Sequence, residues 1–387
     1  MLPTRVIDDP DRFGYYRVGA NFRTYSKLEA MEMMRRTGQH LEWDFNIDVF
    51  SAWDWTQEPA ESLHELYRQR AQQIRDSYDY VVVFYSGGAD SWNIVNSFVS
   101  NDIAVDEIAH CWSLRGDGSY FSYFNEEIYR VAIPITLKLQ QQHQHIHHRI
   151  IDLTDIINQQ YLRPDLRLDW LYNANSLLSP NGLARSFLRE NIADYRDRID
   201  RGQRVAFVWG TEKPRLALKN GQYWCQFQDF FDNTVSTRVQ HLAQDRGWFD
   251  ELFYWSPDAV PMMIKQCHVV KNWLRRAAPD HAWISSEPSA HGQLPGHRRW
   301  ITNDGLHSLI YPGWDITTFS NGKNSQPIMG PRDQWFWDRH PHSSEGLQVF
   351  RNGVDYLFST IDPYWHNDVR DWRRGIKNCI NEYPLEH

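Results

Sequence analysis

The stretch Tyr80-Val81-Val82-Val83-Phe84-Tyr85-Ser86-Gly87-Gly88-Ala89-Asp90-Ser91 decides how the chain folds. Its first six residues are a short run of β-branched and aromatic side chains, the mark of a strand buried on both faces, and Ser86-Gly87-Gly88 ends that run. Over residues 90–100 the period changes, because Ile94, Val95 and Phe98 recur at helical spacing. A strand, a glycine turn and a helix therefore follow one another directly. Working outward, residues 107–112, 146–153 and 204–209 are further strand candidates, and a helical stretch over 121–142, interrupted by Pro134, separates the first two. Strands alternating with helices predict βαβ units and a doubly wound parallel sheet of the α/β class.

On either side of this core the pattern is different. Two helical patterns, over 26–36 and 60–76, mark residues 1–79 as a helical lead-in; the second has Leu63, Leu66, Tyr67 and Ile74 on one face, with Glu58, Pro59 and Glu61 at its start. After Trp224 the strand signals fade, and helical patterns over 237–246 and 258–277 give way to a region rich in Gly, Pro, His and Trp. The predicted organisation is a lead-in (1–79), a nucleotide-type α/β domain (80–224) and a helical, loop-rich region (225–387).

A chain of 387 residues exceeds the roughly 100–200 of one typical domain, which suits that division. With 41% hydrophobic and 14% aromatic residues, disorder is excluded as the default. A formal charge of −8 argues against a bulk electrostatic grip on nucleic acid, so nucleic acid is not indicated as a partner. Cys111, Cys225, Cys267 and Cys379 stand far apart without a CxxC pair, which points to reduced thiols rather than a zinc knuckle or a disulfide framework. No apolar leader opens the sequence and no run of eighteen apolar residues occurs, so no membrane association is expected and a cytoplasmic location is.

The glycine turn carries the chemistry. Between a buried strand and a helix it aims several backbone N–H groups, together with the positive end of the helix dipole, into one small volume, which is what a polyphosphate requires. Gly87 and Gly88 allow close approach to the backbone, Ser86 and Ser91 add hydroxyl donors, and Asp90 suits either Mg2+ coordination or helix capping. No Lys follows the glycines, so this is not the GxxxxGK[ST] loop of kinases and GTPases. The plain alternative is a turn that only joins strand to helix.

Residues 84–91 resemble the SGGxDS loop of the ATP pyrophosphatase (PP-loop) superfamily, which includes asparagine, argininosuccinate, GMP and NAD synthetases and tRNA thiolation enzymes. The resemblance covers residues 80–215. It implies an adenine-nucleotide-α-hydrolase-like fold, ATP and Mg2+ as ligands, and cleavage between the α- and β-phosphates. A substrate oxygen is adenylated, pyrophosphate leaves, and a nitrogen or sulfur nucleophile displaces AMP. Ser86, Gly87, Gly88, Ala89, Asp90 and Ser91 would bind the phosphates, with Mg2+ at Asp90. Many members place a basic residue on a late loop, and here Gly210-Thr211-Glu212-Lys213-Pro214-Arg215 follows the strand candidate at 204–209. Ligands lie at the carboxyl ends of parallel strands, so Lys213 and Arg215 are candidates to hold the departing pyrophosphate; a solvated charged turn is the alternative. Adenine in this superfamily sits by the end of the second strand, here near His110-Cys111-Trp112-Ser113, which makes Ser113 or Trp112 a candidate contact, with ordinary strand-end residues as the alternative. With Glu212-Lys213-Pro214-Arg215 and Tyr254-Trp255-Ser256-Pro257-Asp258, the loop is also similar to asparagine-synthetase-like proteins of large bacteriophages.

Other constellations carry less. Lys265, His268 and Lys271 fall near one helix face and could reach anionic groups, although a solvated face fits as well. His143, His145 and His147 would share one side of a strand as a metal face, but a structural reading is preferred because no Cys is near and Asp152 lies on the opposite side. The span 311–333 has the length and glycines of a lid or substrate loop. Met1 is not followed by Cys, so the glutamine-hydrolysing domain of asparagine synthetase is not expected, and nitrogen would come from ammonia, a substrate amine or a partner. The expected activity is an ATP-dependent, AMP-forming ligase acting on an unidentified acceptor. The alternatives are a sulfur-transfer or PAPS-reductase-like enzyme and a nucleotide-binding module without turnover. A homo-oligomer stays open.

Overall fold

A computed structural model describes residues 9, 11–112, 127–155, 192–210, 215–219, 221–228, 247–277, 304–315 and 380–387. Its centre is a five-stranded, all-parallel sheet: β4 (Tyr80–Phe84), β5 (Glu107–Trp112), β6 (His147–Asp152), β7 (Val205–Trp209) and β10 (Trp248–Leu252), in the order β10-β7-β4-β5-β6. The first of these five strands lies in the middle, two strands add on one side, and the next two add on the other. The direction of winding thus reverses between β4 and β7, as in a doubly wound sheet. Every residue of β4, β7 and β10 is buried, which is why these segments read as continuous apolar runs without alternation.

Helices cover the sheet. α3 (Leu63–Ser77) enters with Ser62 as N-cap, its hydroxyl accepting from Glu65 N, and buries Leu63, Leu66, Tyr67 and Ile74 on the face the sequence predicts. α4 (Ala89–Val99) follows the glycine turn and packs Ile94, Val95 and Phe98 inward. A π-helical turn, Ile128–Ala132, runs into α5 (Ile133–Gln142), and Pro134, which has no N–H to bond back into the preceding turn, falls where the one passes into the other. α6 (Ala193–Asp200) precedes β7. α7 (Val260–Ala277) and the short α8 (Asp304–Ile310) come from the C-terminal half. The helical pattern over 237–246 lies outside the described residues.

The structure corrects the view of the chain outside its core. The lead-in is not simply helical. It opens with an antiparallel sheet, β1 (Tyr15–Val18), β2 (Phe22–Thr24) and β3 (Leu41–Asp44), in the order β2-β1-β3, around α1 (Lys27–Thr37) and α2 (Ile47–Ser51). These strands are three or four residues long, too short for periodicity to register. Strand structure likewise persists beyond Trp224. β8 (Arg215–Lys219), β9 (Gln222–Gln228) and β11 (Ile380–Pro384) form a second antiparallel sheet, and β10 completes the parallel one. The central sheet therefore crosses the boundary drawn at residue 224.

The two antiparallel sheets meet in an aromatic core. Phe50 stacks on Phe227 with ring centres 5.0 Å apart, and Trp55 on Tyr383 at 4.6 Å. Asn381 completes the seam, accepting from Phe45 N at 3.2 Å and donating to Trp43 O at 2.8 Å, as a neighbouring strand would. A buried ionic cluster joins this body to the central sheet: Glu251 of β10 accepts two bonds from Arg12, at 3.2 and 3.1 Å, one from Arg70 of α3 at 2.9 Å, and one from Tyr78. Among the described residues no helix is long and apolar enough to cross a membrane.

Candidate functional site

Strand β4 ends at Phe84, level with the end of β7: Val83 lies opposite Val208, and the Phe84 and Trp209 rings stack at 3.8 Å, 2° from parallel. Trp209 Nε1 donates to Asp250 Oδ1 at 2.6 Å, so the carboxyl ends of β4, β7 and β10 are locked together. The glycine turn leaves the sheet at this reversal of winding, where a doubly wound sheet opens a crevice.

Gly87 takes a left-handed φ of +92°, and a Cβ there would stand 2.6 Å from the carbonyl oxygen of Glu127, so the turn admits no side chain at this position. Gly88 is the N-cap of α4 and makes no side-chain cap; the first helical bond runs from Trp92 N to Gly88 O at 2.9 Å. The N–H groups ahead of Trp92 are those that helix geometry directs along the axis toward the crevice. Gly210, which follows β7, meets this turn edge-on: its Cβ would lie 3.0 Å from Ser91 N. A side chain at 210 would push the loop outward.

The loop holds its own shape. Ser91 Oγ accepts from Ser86 N at 3.2 Å and donates to Gly88 O at 3.1 Å, while Ser86 Oγ lies 3.1 Å from Ser91 Oγ. The Ser91 hydroxyl is thus committed inside the turn, closing it as a backbone bond would, where the sequence reading made it an outward donor. Ala89 is buried in the first turn. Asp90, also in the first turn, keeps a side chain one-third exposed at the crevice. Its carboxylate does not serve merely as a cap, because Oδ1 accepts from the Tyr311 hydroxyl. His307 Nε2 lies 3.9 Å from the same oxygen.

Residues from the C-terminal half build this support. Tyr254, just after β10, donates to the main-chain carbonyl of Asp90 at 2.8 Å and accepts from Asn93 Nδ2 at 3.0 Å. The Tyr311 segment is held in turn by Tyr67 of α3, whose hydroxyl donates to Ile310 O at 2.7 Å and accepts from Gln266 at 2.8 Å. Burial, and then the Asp90 charge, push the Tyr311 phenol far above its ordinary value, so it stays a donor across the neutral range. Glu127 flanks the other glycine, its carboxylate oxygens 3.9 Å from where a Gly88 Cβ would be. Glu127, Tyr254, His307 and Tyr311 were not among the sequence candidates. Tyr254 and Tyr311 fall inside stretches singled out for other reasons, but no local pattern ties them to Asp90.

The remaining candidates divide. Lys213 and Ser113 lie outside the described residues. Arg215 opens β8, with its Cα opposite Gln226, five positions beyond Gly210; its side chain is outside the described set. Lys265, His268 and Lys271 neither line the crevice nor form a solvated face. Lys265 bonds Glu58 at 2.8 Å and Pro59 O at 2.9 Å, His268 meets Trp55 O at 2.9 Å, and Lys271 donates to Leu385 O at 2.8 Å. They fasten α7 to the lead-in and to the chain's last strand. His143 and His145 precede β6 rather than lying on it, and His147 pairs with Glu107 at 2.9 Å. Among the described residues no group of three His, Cys, Asp or Glu is placed to hold a metal ion. Of the span 311–333, only residues 311–315 are described.

The architecture shown is an α/β protein with a five-stranded parallel sheet flanked by helices. No protein-family model matches the chain, and no curated protein is significantly similar to it.

Proposed function

We propose that the chain is an ATP-dependent ligase of the PP-loop kind, with an adenine-nucleotide-α-hydrolase-like core, which cleaves ATP to AMP and pyrophosphate. The observation that carries this reading is the place of the Ser86–Ser91 turn: a two-glycine loop opening a helix at the point where the sheet's winding reverses. Backbone N–H groups and a helix dipole supply the grip on phosphate, and the absence of a following Lys favours α,β-cleavage over γ-phosphoryl transfer. An acceptor oxygen attacks the α-phosphorus, pyrophosphate leaves with the electrons of the broken P–O bond, and an amine then displaces AMP and gives up its proton. Asp90 is a suitable ligand for Mg2+, which commonly takes one or two protein carboxylates and completes its shell with phosphate oxygens and water. Bound there, Mg2+ would offset the charge of the phosphates. Lys213 and Arg215 are proposed to steady the pyrophosphate.

The test is incubation with α-labelled ATP, Mg2+ and cell extract. Labelled AMP, formed by the wild type and abolished in Asp90→Asn, is expected. Release of ADP, or AMP formation that survives Asp90→Asn, would sink this assignment. A sulfur-relay reading has one observation on its side: Cys111, next to the last residue of β5, is the one partly exposed thiol among the described residues, whereas Cys225 and Cys267 are buried. Full turnover in Cys111→Ser removes that reading.

A further inference from the structure

Resting on the nucleotide reading above, we propose that Tyr311 is the positioning residue for Asp90: its hydroxyl, delivered from the C-terminal half, aims the carboxylate at a Mg2+ carried by the bound nucleotide. Asp90 is held at two points by phenols from outside the loop's own βα unit. Tyr254 takes its main-chain carbonyl at 2.8 Å, and Tyr311 takes one carboxylate oxygen. Neither phenol reaches it on a flexible stalk. Tyr311 is fully buried, and its ring stacks on His307 with centres 5.5 Å apart and lies 5.8 Å from Tyr254. The residue before it is fixed through its carbonyl by Tyr67, itself bonded by Gln266 of α7. The carboxylate remains one-third exposed at the crevice while one of its oxygens is taken, so a donor that fixes Oδ1 selects the orientation of the whole group. A carboxylate free to rotate would have to be ordered on each binding event, and Tyr311 removes that cost beforehand.

The measurement is ATP affinity by titration calorimetry, in MgCl2 and separately in EDTA, for wild type, Tyr311→Phe, Asp90→Asn and the double variant. The wild type is expected to bind more tightly with Mg2+. Tyr311→Phe should shrink that Mg2+ advantage by about tenfold, the size of one lost hydrogen bond to a charged group, while affinity in EDTA stays unchanged. Asp90→Asn should erase the advantage, and adding Tyr311→Phe to it should change nothing more. A full Mg2+ advantage in Tyr311→Phe, equal weakening in both buffers, or additive losses in the double variant would overturn the proposal while leaving nucleotide binding in place. A wild type that binds no ATP in either buffer overturns the functional reading and this proposal with it. Should Tyr311→Phe fail to fold, Tyr67→Phe replaces it, because it releases Ile310 O and with it the hold on Tyr311: a reduced Mg2+ advantage with unchanged affinity in EDTA supports the proposal, and an unchanged advantage overturns it.

Discussion

His110 lies one strand away from the glycine turn and shows what a single buried residue implies about pH. Its Nδ1 donates to Tyr85 O at 2.6 Å, and its Nε2 is buried without a partner among the described residues. Burial holds its pKa down at about 4, against an ordinary 6.5, with the edge of His148 5.0 Å away adding to the effect. The folded protein therefore keeps this ring neutral at pH values where the unfolded chain protonates it. Stability from this group is complete above pH 6.5 and is lost as pH falls toward 4, on the order of 3 kcal/mol in total. His148, also depressed by burial, adds in the same direction. His110→Asn keeps a donor for Tyr85 O and removes the titration. Urea unfolding at a series of pH values should show a shallower decline between pH 6.5 and 4 in the variant; parallel curves for the two proteins would refute the assignment.

At the scale of elements, what could be read from the sequence depended on how locally each element is specified. β4, α4, β5 and β7 were legible because a fully buried strand and an amphipathic helix each write their period into consecutive residues. β1, β2 and β3 were not, since three or four residues carry no period. β10 was missed for another reason. Its sequence Trp248-Phe249-Asp250-Glu251-Leu252 places two acids in a core strand, which reads as a surface segment until Trp209 is seen to donate to Asp250, and Arg12 and Arg70 to Glu251. The candidate site divides in the same way: the turn is contiguous and was found, while its supports at Glu127, Tyr254 and Tyr311 depend on contacts up to 221 positions away in sequence. The acids of β10 also make a prediction. Glu251→Gln keeps the shape and removes the charge, leaving Asp258, at 3.7 and 3.9 Å, as the one carboxylate beside the buried Arg12 and Arg70 among the described residues. The guanidinium of Arg70 is already held down to about 10 by burial, opposed by Asp258 and aided by Arg12, so the uncompensated pair is costly. A loss of about 3 kcal/mol in urea unfolding is expected. A loss within experimental error would mean that the cluster fixes geometry without contributing stability.

Across the whole molecule the chain ties itself together with segments far apart in sequence, and the two ties are separable. The glycine turn is held by α3, β10 and α8. The outer sheets are held by the last eight residues: β11 pairs with β9, Leu385 N donates to Tyr223 O at 2.9 Å, Leu385 O accepts from Lys271 of α7 at 2.8 Å, and Asn381 extends β3. Leu385 is fully buried and Tyr383 nearly so, so removing residues 380–387 forfeits on the order of 4 kcal/mol of apolar burial from these two side chains alone. Among the described residues the hydrogen bonds of this segment run to β3, β9 and α7 rather than to the parallel sheet, so the damage should be local. Hydrogen exchange on a chain ending at residue 379 is expected to show lost protection in β3 and β9, with β4 and β7 still protected. If protection instead falls evenly in all four strands, the outer sheets and the parallel-sheet core form one cooperative unit, and the C-terminal strand then supports the glycine turn through that shared core.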